Sequence, residues 1–478
     1  MIDRHRTRGV RSTVAFFLVI LIIIALITQW LDISIVTGSL QSKIHLQDSP
    51  HIYSQEFDCS LNRSQIPHVA TNIIDPTTNA CPEYFRWIHE DLRPWRKTGI
   101  TKETVEKAKD VAHVRIVVVN GRLYMEKYKK VFQTRDIMTV WGILQLLRLY
   151  PGKLSDLDLM LECGDKPVIR RRDCSSRNAS IPPLFHYCGD GFSYDIVLPD
   201  WSFWEPEVNI KPWEELKEDI KEGNKRIKWK NREPYAYWKG NSKLGAARRD
   251  LVKCNATERQ DWKARIFGMD WHEEKKQGFR SSDLASQCTY RYKIYVEGVS
   301  WSVSQKYILA CDSMTLIVKP RFYDFFTRSL LPSIHYWPIG EKNKCGSIRY
   351  AVEWGNKYTD KDAQDIGKAG SQFVQENLAM EYVYDYTFHL LNEYAKLLKY
   401  KPTVPQGAVE MCSETLVCSV RGLKRRFMKH SMVKNPSHTL PCNLPPIYEL
   451  AALRDFIHRK ENLTKQVVSW ERSESNSS

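Results

Sequence analysis

The sequence predicts an α/β protein of two layers with parallel sheets, and three observations lead there. Short apolar runs ending at Gly, Pro or Asn-Gly alternate with segments of helical spacing, and they do so twice along the chain. A strongly charged helix-like segment, residues 213–230, lies between the two series and reads as a solvated linker. The chain has 478 residues, 42% hydrophobic and 27% charged, which suffices for a sizeable core and, at roughly 100–200 residues per domain, for two or three domains.

The elements follow in order. Residues 114–119 (VRIVVV) read as a buried strand stopping at the turn pair Asn120-Gly121. Residues 140–150 have helical spacing up to Pro151-Gly152, and 157–161 form a strand running into Glu162-Cys163-Gly164-Asp165. Residues 196–198 are a short strand broken by Pro199-Asp200-Trp201. Beyond the linker, 235–238 open a strand ending at Lys239-Gly240-Asn241, 290–296 a strand before Glu297-Gly298, 304–311 a helix and 314–318 a strand. Residues 362–400 read as one or two long amphipathic helices stopping at Lys401-Pro402. The expected layout is an N-terminal domain over 59–230, a C-terminal domain over 231–400, and an appended tail, 401–478, tied by Cys412, Cys418 and Cys442. In open α/β sheets ligands bind at the carboxyl ends of strands, so residues just past strands carry the most functional interest.

Ahead of these elements, residues 14–27 contain no polar side chain, and 28–31 extend the run to about the length that crosses a bilayer. Arg4, Arg6, Arg8 and Arg11 precede it, and no Lys or Arg follows before Lys43. The positive-inside rule then gives a cytosolic tail (1–13), a single type II anchor (14–31), a stem (32–58) and a lumenal remainder; a cleaved signal peptide is the alternative. Sequons at Asn62, Asn178, Asn255, Asn462 and Asn476 suit the secretory route. So do twelve cysteines without a C-x-x-C pair, which read as disulfides of an oxidising lumen. The C-terminus is not an ER-retention signal, so a Golgi membrane is the expected address. The net charge of +15 fits a surface near anionic lipid or polysaccharide, or a site for a nucleotide sugar or acidic glycan; a lumenal address excludes nucleic acid.

Three segments could carry chemistry. Asp165 follows a strand and a glycine, as a general base facing a crevice would, or as a turn aspartate capping its own backbone would. Upstream, Asp156-Leu157-Asp158 is formally a D-x-D that could hold a divalent cation on a diphosphate, or simply a strand's alternation. Lys239-Gly240-Asn241 with Arg248 and Arg249 could neutralise a diphosphate, or form a basic surface helix. The run from Glu297 to Tyr307 places Ser300, Ser302 and Ser304 around a Trp just before a helix, as a phosphate-binding N–H cluster or as plain N-capping. His186, His272, His335 and His389 lack metal-ligand spacing, and no G-x-S-x-G elbow occurs.

These segments together resemble the protein O-glucosyltransferase family related to Rumi and the fungal capsule xylosyltransferases, glycosyltransferase family 90, in a plant-type form. The carrying residues are Glu162-Cys163-Gly164-Asp165, Asp200-Trp201-Ser202-Phe203-Trp204, Asn209-Ile210-Lys211-Pro212-Trp213, Tyr237-Trp238-Lys239-Gly240-Asn241, the 297–312 block and His438-Thr439-Leu440-Pro441-Cys442-Asn443-Leu444-Pro445. The resemblance implies a GT-B-like fold, two Rossmann-like domains facing a central cleft, and an inverting transfer of glucose or xylose from UDP-glucose or UDP-xylose to a hydroxyl of a glycan or protein. It implies Asp165 as base. It also implies a UDP-sugar site of Lys239, Gly240, Asn241, Arg248, Val299, Ser300, Trp301, Ser302, Val303, Ser304 and Lys306, and acceptor-side Trp201, Trp204 and Lys211. A Cys288–Cys311 disulfide and no required metal or other cofactor complete the expectation. The chain departs from Rumi-like enzymes in lacking cysteine over 128–136, which argues against an EGF-like acceptor, in lacking an ER-retention signal, and in carrying Ser304 where they have Arg. A non-catalytic carbohydrate-binding or scaffolding protein of the same fold is the alternative function.

Overall fold

The computed structural model describes residues 79–174, 180–204, 210–357 and 360–475. The expected cytosolic tail, anchor and stem, and Asn62, Asn178, Asn209 and Asn476, lie outside them. Among the described residues no helix is long and apolar enough to cross a membrane.

The first strands, β1 (Val114–Val119) and β2 (Arg122–Lys127), form a hairpin. Its loop residues Asn120 and Gly121 both have positive φ, 51° and 70°, matching the two-residue turns that follow the twist of paired strands. Next come α1 (Arg135–Leu149), β3 (Leu157–Leu161), β4 (Leu184–His186), β5 (Gly189–Asp190) and β6 (Ile196–Val197). The second series runs α2 (Trp213–Arg226), β7 (Glu233–Gly240), α3 (Ala246–Leu251), β8 (Ala264–Gly268), α4 (Trp271–Lys276), β9 (Tyr290–Tyr295), α5 (Ser304–Leu309) and β10 (Met314–Val318). It continues through β11 (Phe322–Tyr323), β12 (Trp337–Ile339), α6 (Lys344–Lys357), α7 (Asp360–Asn377) and α8 (Met380–Ala395). The last labelled elements are β13 (Val409–Met411) and α9 (Leu450–Ser475).

One sheet has the order β13-β2-β1-β3-β4-β6 and the other β12-β10-β9-β7-β8. The second is parallel throughout, as expected, and its interior strand β10, apolar except for Thr315, is buried along its whole length. The first is mixed, which corrects the all-parallel expectation. β1 runs antiparallel to β2 and β3, and only β3, β4 and β6 are parallel. A two-residue Asn-Gly turn cannot make the crossover that parallel neighbours need, so β2 must return beside β1.

The charged segment also differs from expectation. Trp213, Leu216 and Ile220 of α2 are buried, and Gly223 lies so close to Ala285 that a Cβ there would be 2.3 Å from its carbonyl oxygen. Except for the buried Lys217, the acidic and basic residues of α2 cover the outer face of a packed helix.

The C-terminal part is a brace woven through the fold. Leu390, Leu391 and Tyr394 of α8 are fully buried in the core of the first sheet, and the Tyr394 hydroxyl donates to the Asp158 carbonyl at 2.9 Å. Strand β13 pairs with β2 at that sheet's edge. Helix α9 then closes the second core: Val467 is fully buried, and Trp470 stacks on Trp354, which lies 4.3 Å from Trp337. Disulfides join Cys81 to Cys442, Cys254 to Cys345 and Cys288 to Cys311. Cys418 is disulfide-bonded too, whereas Cys412 is a free thiol and does not tie the tail.

Candidate active site

A cleft of about 740 Å³ is lined from both sheets. On the first side β3 is fully buried and delivers the chain to Glu162-Cys163-Gly164-Asp165. Side chains hold the backbone of this turn. The Gly164 N–H donates to Glu162 at 2.8 Å, the Cys163 N–H to His113 Nδ1 at 3.2 Å, and the Cys163 carbonyl accepts from Arg135 at 3.1 Å. Burial lowers the His113 pKa, in keeping with a neutral ring that accepts at Nδ1. Glu162 is buried, which raises its pKa, but His186, whose Nε2 lies 2.8 Å away, and the Gly164 N–H outweigh that and hold it below the usual range. A Cβ on Gly164 would sit 2.5 Å from Glu162 Oε1, so any larger residue there would displace the Glu162 carboxylate.

The turn presents Asp165 with its side chain 46% exposed, 3.0 Å from Arg135 Nη1. Arg135 is buried in the first turn of α1, its guanidinium carbon 4.2 Å from the Trp201 ring centroid and 5.3 Å from that of Phe132. A cation at a helix N-terminus opposes the helix dipole. Its stacking and its pairing with Asp165 offset that cost.

On the other side, β7 ends at Lys239 and Gly240, and Asn241 accepts from the Lys243 N–H at 3.0 Å. Lys239 Nζ is engaged by Glu274 at 2.9 Å and by Ser281 at 2.6 and 2.8 Å. Arg248 of α3 donates to Ser302 Oγ at 3.1 Å and so joins α3 to the 299–304 segment. Val299, Ser300, Trp301, Ser302, Val303 and Ser304 all line the cleft. The Ser302 N–H is taken by the Tyr295 hydroxyl at 3.1 Å. Helix α5 is only six residues long, and Val303 stands at its N-cap with no side-chain cap, so the alternative of plain serine N-capping does not hold. The Cys288–Cys311 bridge closes just past α5 and braces this loop.

Most expected site residues therefore meet: Asp165, Trp201, Lys239, Gly240, Asn241, Arg248 and 299–304 share the cleft. Three do not line it. Trp204 is buried against Gly142 and donates to the Tyr384 hydroxyl at 3.0 Å. Lys211 pairs on the surface of α2 with Asp219 and Glu215, at 2.7 and 3.0 Å. Lys306 turns inward, donating to Ser202 Oγ at 2.5 Å with Asp200 at 3.7 Å. The D-x-D is structural: Asp158 is buried in a two-point pair with Arg115, at 2.7 and 2.6 Å, and Asp156 accepts from the Asn120 N–H at 2.7 Å. Of the described sequons, Asn462 is exposed on α9, whereas Asn255 is half-buried and accepts from the Ile266 N–H at 3.0 Å. Sequence reasoning missed Arg135, Phe132, Trp238, Trp271 and Phe279 in the lining. Arginine at a helix start was the one local signal available.

The buried carboxyl of Asp324 close to Lys306 has a measurable consequence. Burial, and the nearby charge of Asp200, push the Asp324 carboxyl up to about 7 despite Lys306. An acid raised on folding stays protonated in the native state while the unfolded chain has already ionised, so stability falls as pH rises from about 4 to about 7. Urea unfolding across that range should show a fall in midpoint that is smaller in Asp324→Asn; equal falls would contradict the assignment.

The profile of the family described as Glycosyl transferase family 90 matches residues 76–471. Protein O-glucosyltransferase 1 of Homo sapiens is 26% identical over 360 residues, covering 72% of this chain and 87% of its own. O-glucosyltransferase rumi of Drosophila melanogaster is 25% identical over 343 residues, covering 68% and 80%. The O-glucosyltransferase rumi homolog of Aedes aegypti is 27% identical over 337 residues, covering 67% and 80%. With the family profile spanning both sheets, the cleft between them and the brace that closes them, this chain belongs to glycosyl transferase family 90.

Proposed function

We propose that the protein transfers glucose or xylose from a UDP-sugar to a hydroxyl of a glycan or protein, with inversion at the anomeric carbon. One observation carries the reading: a solvent-reached carboxylate, Asp165, lines the same cleft as the Lys239–Gly240–Asn241 and 298–304 segments. The two sheets are read as the halves of a GT-B-like fold. Asp165 takes the proton of the acceptor hydroxyl as that oxygen attacks the anomeric carbon. The bond from that carbon to the UDP oxygen breaks on the opposite face, and its electron pair leaves with the diphosphate. Arg248 and the backbone N–H groups of the 299–304 loop other than that of Ser302, which Tyr295 holds, stabilise the departing charge, and no step requires a metal. Lys239 joins them only by giving up Glu274. Trp201 lies at the acceptor wall.

The setting read for this reaction is the Golgi lumen, with the protein anchored by residues 14–31 as a type II membrane protein and glycosylated at its sequons. Incubating the full chain in detergent with a panel of UDP-sugars tests the chemistry. UDP release is expected with UDP-glucose or UDP-xylose and rises when acceptors are added. Glycan binding without UDP release from any donor would instead point to a carbohydrate-binding role.

A further inference from the structure

We propose that Phe132 is a stacking platform for a pyranose ring of the acceptor, making a glycan rather than a folded protein domain the substrate class. The inference rests on Asp165 as the base of the reaction above. Phe132 lies between β2 and α1, lines the cleft, and is 68% exposed. Single exposed apolar residues are ordinary on protein surfaces. Three features set this one apart.

The next residue, Gln133, has φ of 56°, a left-handed backbone that costs a non-glycine residue free energy and that clusters at functional sites. The ring is thus presented by a constrained turn. Second, Arg135, whose guanidinium lies over the ring, is only 7% exposed and also rests against Trp201, at 4.2 Å. Third, that guanidinium lies 5.3 Å from the Phe132 centroid and binds Asp165 at 3.0 Å, so ring and carboxylate are at most about 10 Å apart once a bond of about 1.3 Å is included.

That bound puts the ring within about one sugar residue of the carboxylate. A pyranose has an apolar C–H face and a rim of hydroxyls. Arg135 lies over one side of the Phe132 ring, and the exposed side matches that apolar face. A pyranose stacked there would hold the adjoining sugar of the same glycan, with its hydroxyls, near Asp165.

The test compares wild type, Phe132→Ala and Phe132→Trp on an array of defined β-linked oligosaccharides, with kinetics on the oligosaccharides that bind. Because the side chain is exposed, all three proteins should melt at similar temperatures. Phe132→Ala should weaken glycan binding about tenfold and raise acceptor KM in proportion, and Phe132→Trp should restore both. Equal glycan binding by wild type and Phe132→Ala would overturn the proposal. So would a wild type that binds no arrayed glycan, or that modifies a folded protein domain with a KM indifferent to Phe132→Ala. Array binding needs no turnover, so it is read separately from the base. If Asp165→Asn keeps full transfer, the reading of the reaction fails whatever the array shows.

Discussion

Asp165→Asn is expected to lower sugar transfer by about a hundred- to ten-thousand-fold, the range a positioned general base contributes, while UDP still binds. The amide is nearly isosteric, and its oxygen can keep the hydrogen bond now made at 3.0 Å from Arg135. The turn holding residue 165 does not depend on that side chain, because Glu162, His113 and Arg135 hold its backbone. The variant should therefore fold, bind UDP in a calorimetric titration much as wild type does, and fail only in taking the acceptor proton. Unchanged turnover would show that another group is the base.

Gly245→Ala should have the second large effect, on the donor side. Gly245 has φ of 80° and ψ of 154°, a region that is essentially glycine-only, and strain there costs about 1–3 kcal/mol for other residues. Its Cβ would also lie 2.2 Å from the carbonyl oxygen of Gly298, a backbone atom that cannot swing aside. The close approach is mutual, since a Cβ on Gly298 would meet Leu244 and Arg248 at 3.3 and 3.4 Å. Alanine at 245 must push the 298–304 loop away from α3 and stretch the 3.1 Å contact between Arg248 and Ser302. UDP affinity should fall about tenfold or more, since each 1.4 kcal/mol is a factor of ten, with a lower melting temperature. Wild-type UDP affinity would mean that these segments do not form one donor site.

Both residues follow strands, which is why the region around them was legible in advance. Strands 114–119, 157–161 and 314–318 fall on the residues expected, because an apolar run bounded by turn residues is local information. Lys239 was legible for the same reason, since it stands beside the glycine that ends its strand, and Arg248 belongs to the basic segment that follows. Lys306 and Arg135 show where that reasoning stops. Both are basic residues on helices beside the cleft, and nothing nearby in sequence says which one faces it. Lys306 is drawn inward by Asp200 and Ser202, which come from the other sheet's connections. Arg135 is held outward by Trp201 and Asp165, 66 and 30 residues away.

What the amino-acid order determined alone is several of the strands and helices, a turn at Asn120-Gly121, and a carboxylate and basic segments close to strand ends. Those depend on backbone sterics and on apolar spacing over a few residues. Only the tertiary structure decided the mixed pairing of the first sheet, the return of the C-terminal brace over both cores, and which charged side chains reach the cleft. Each of these depends on partners distant along the chain, whose packing and charge outweigh local preference.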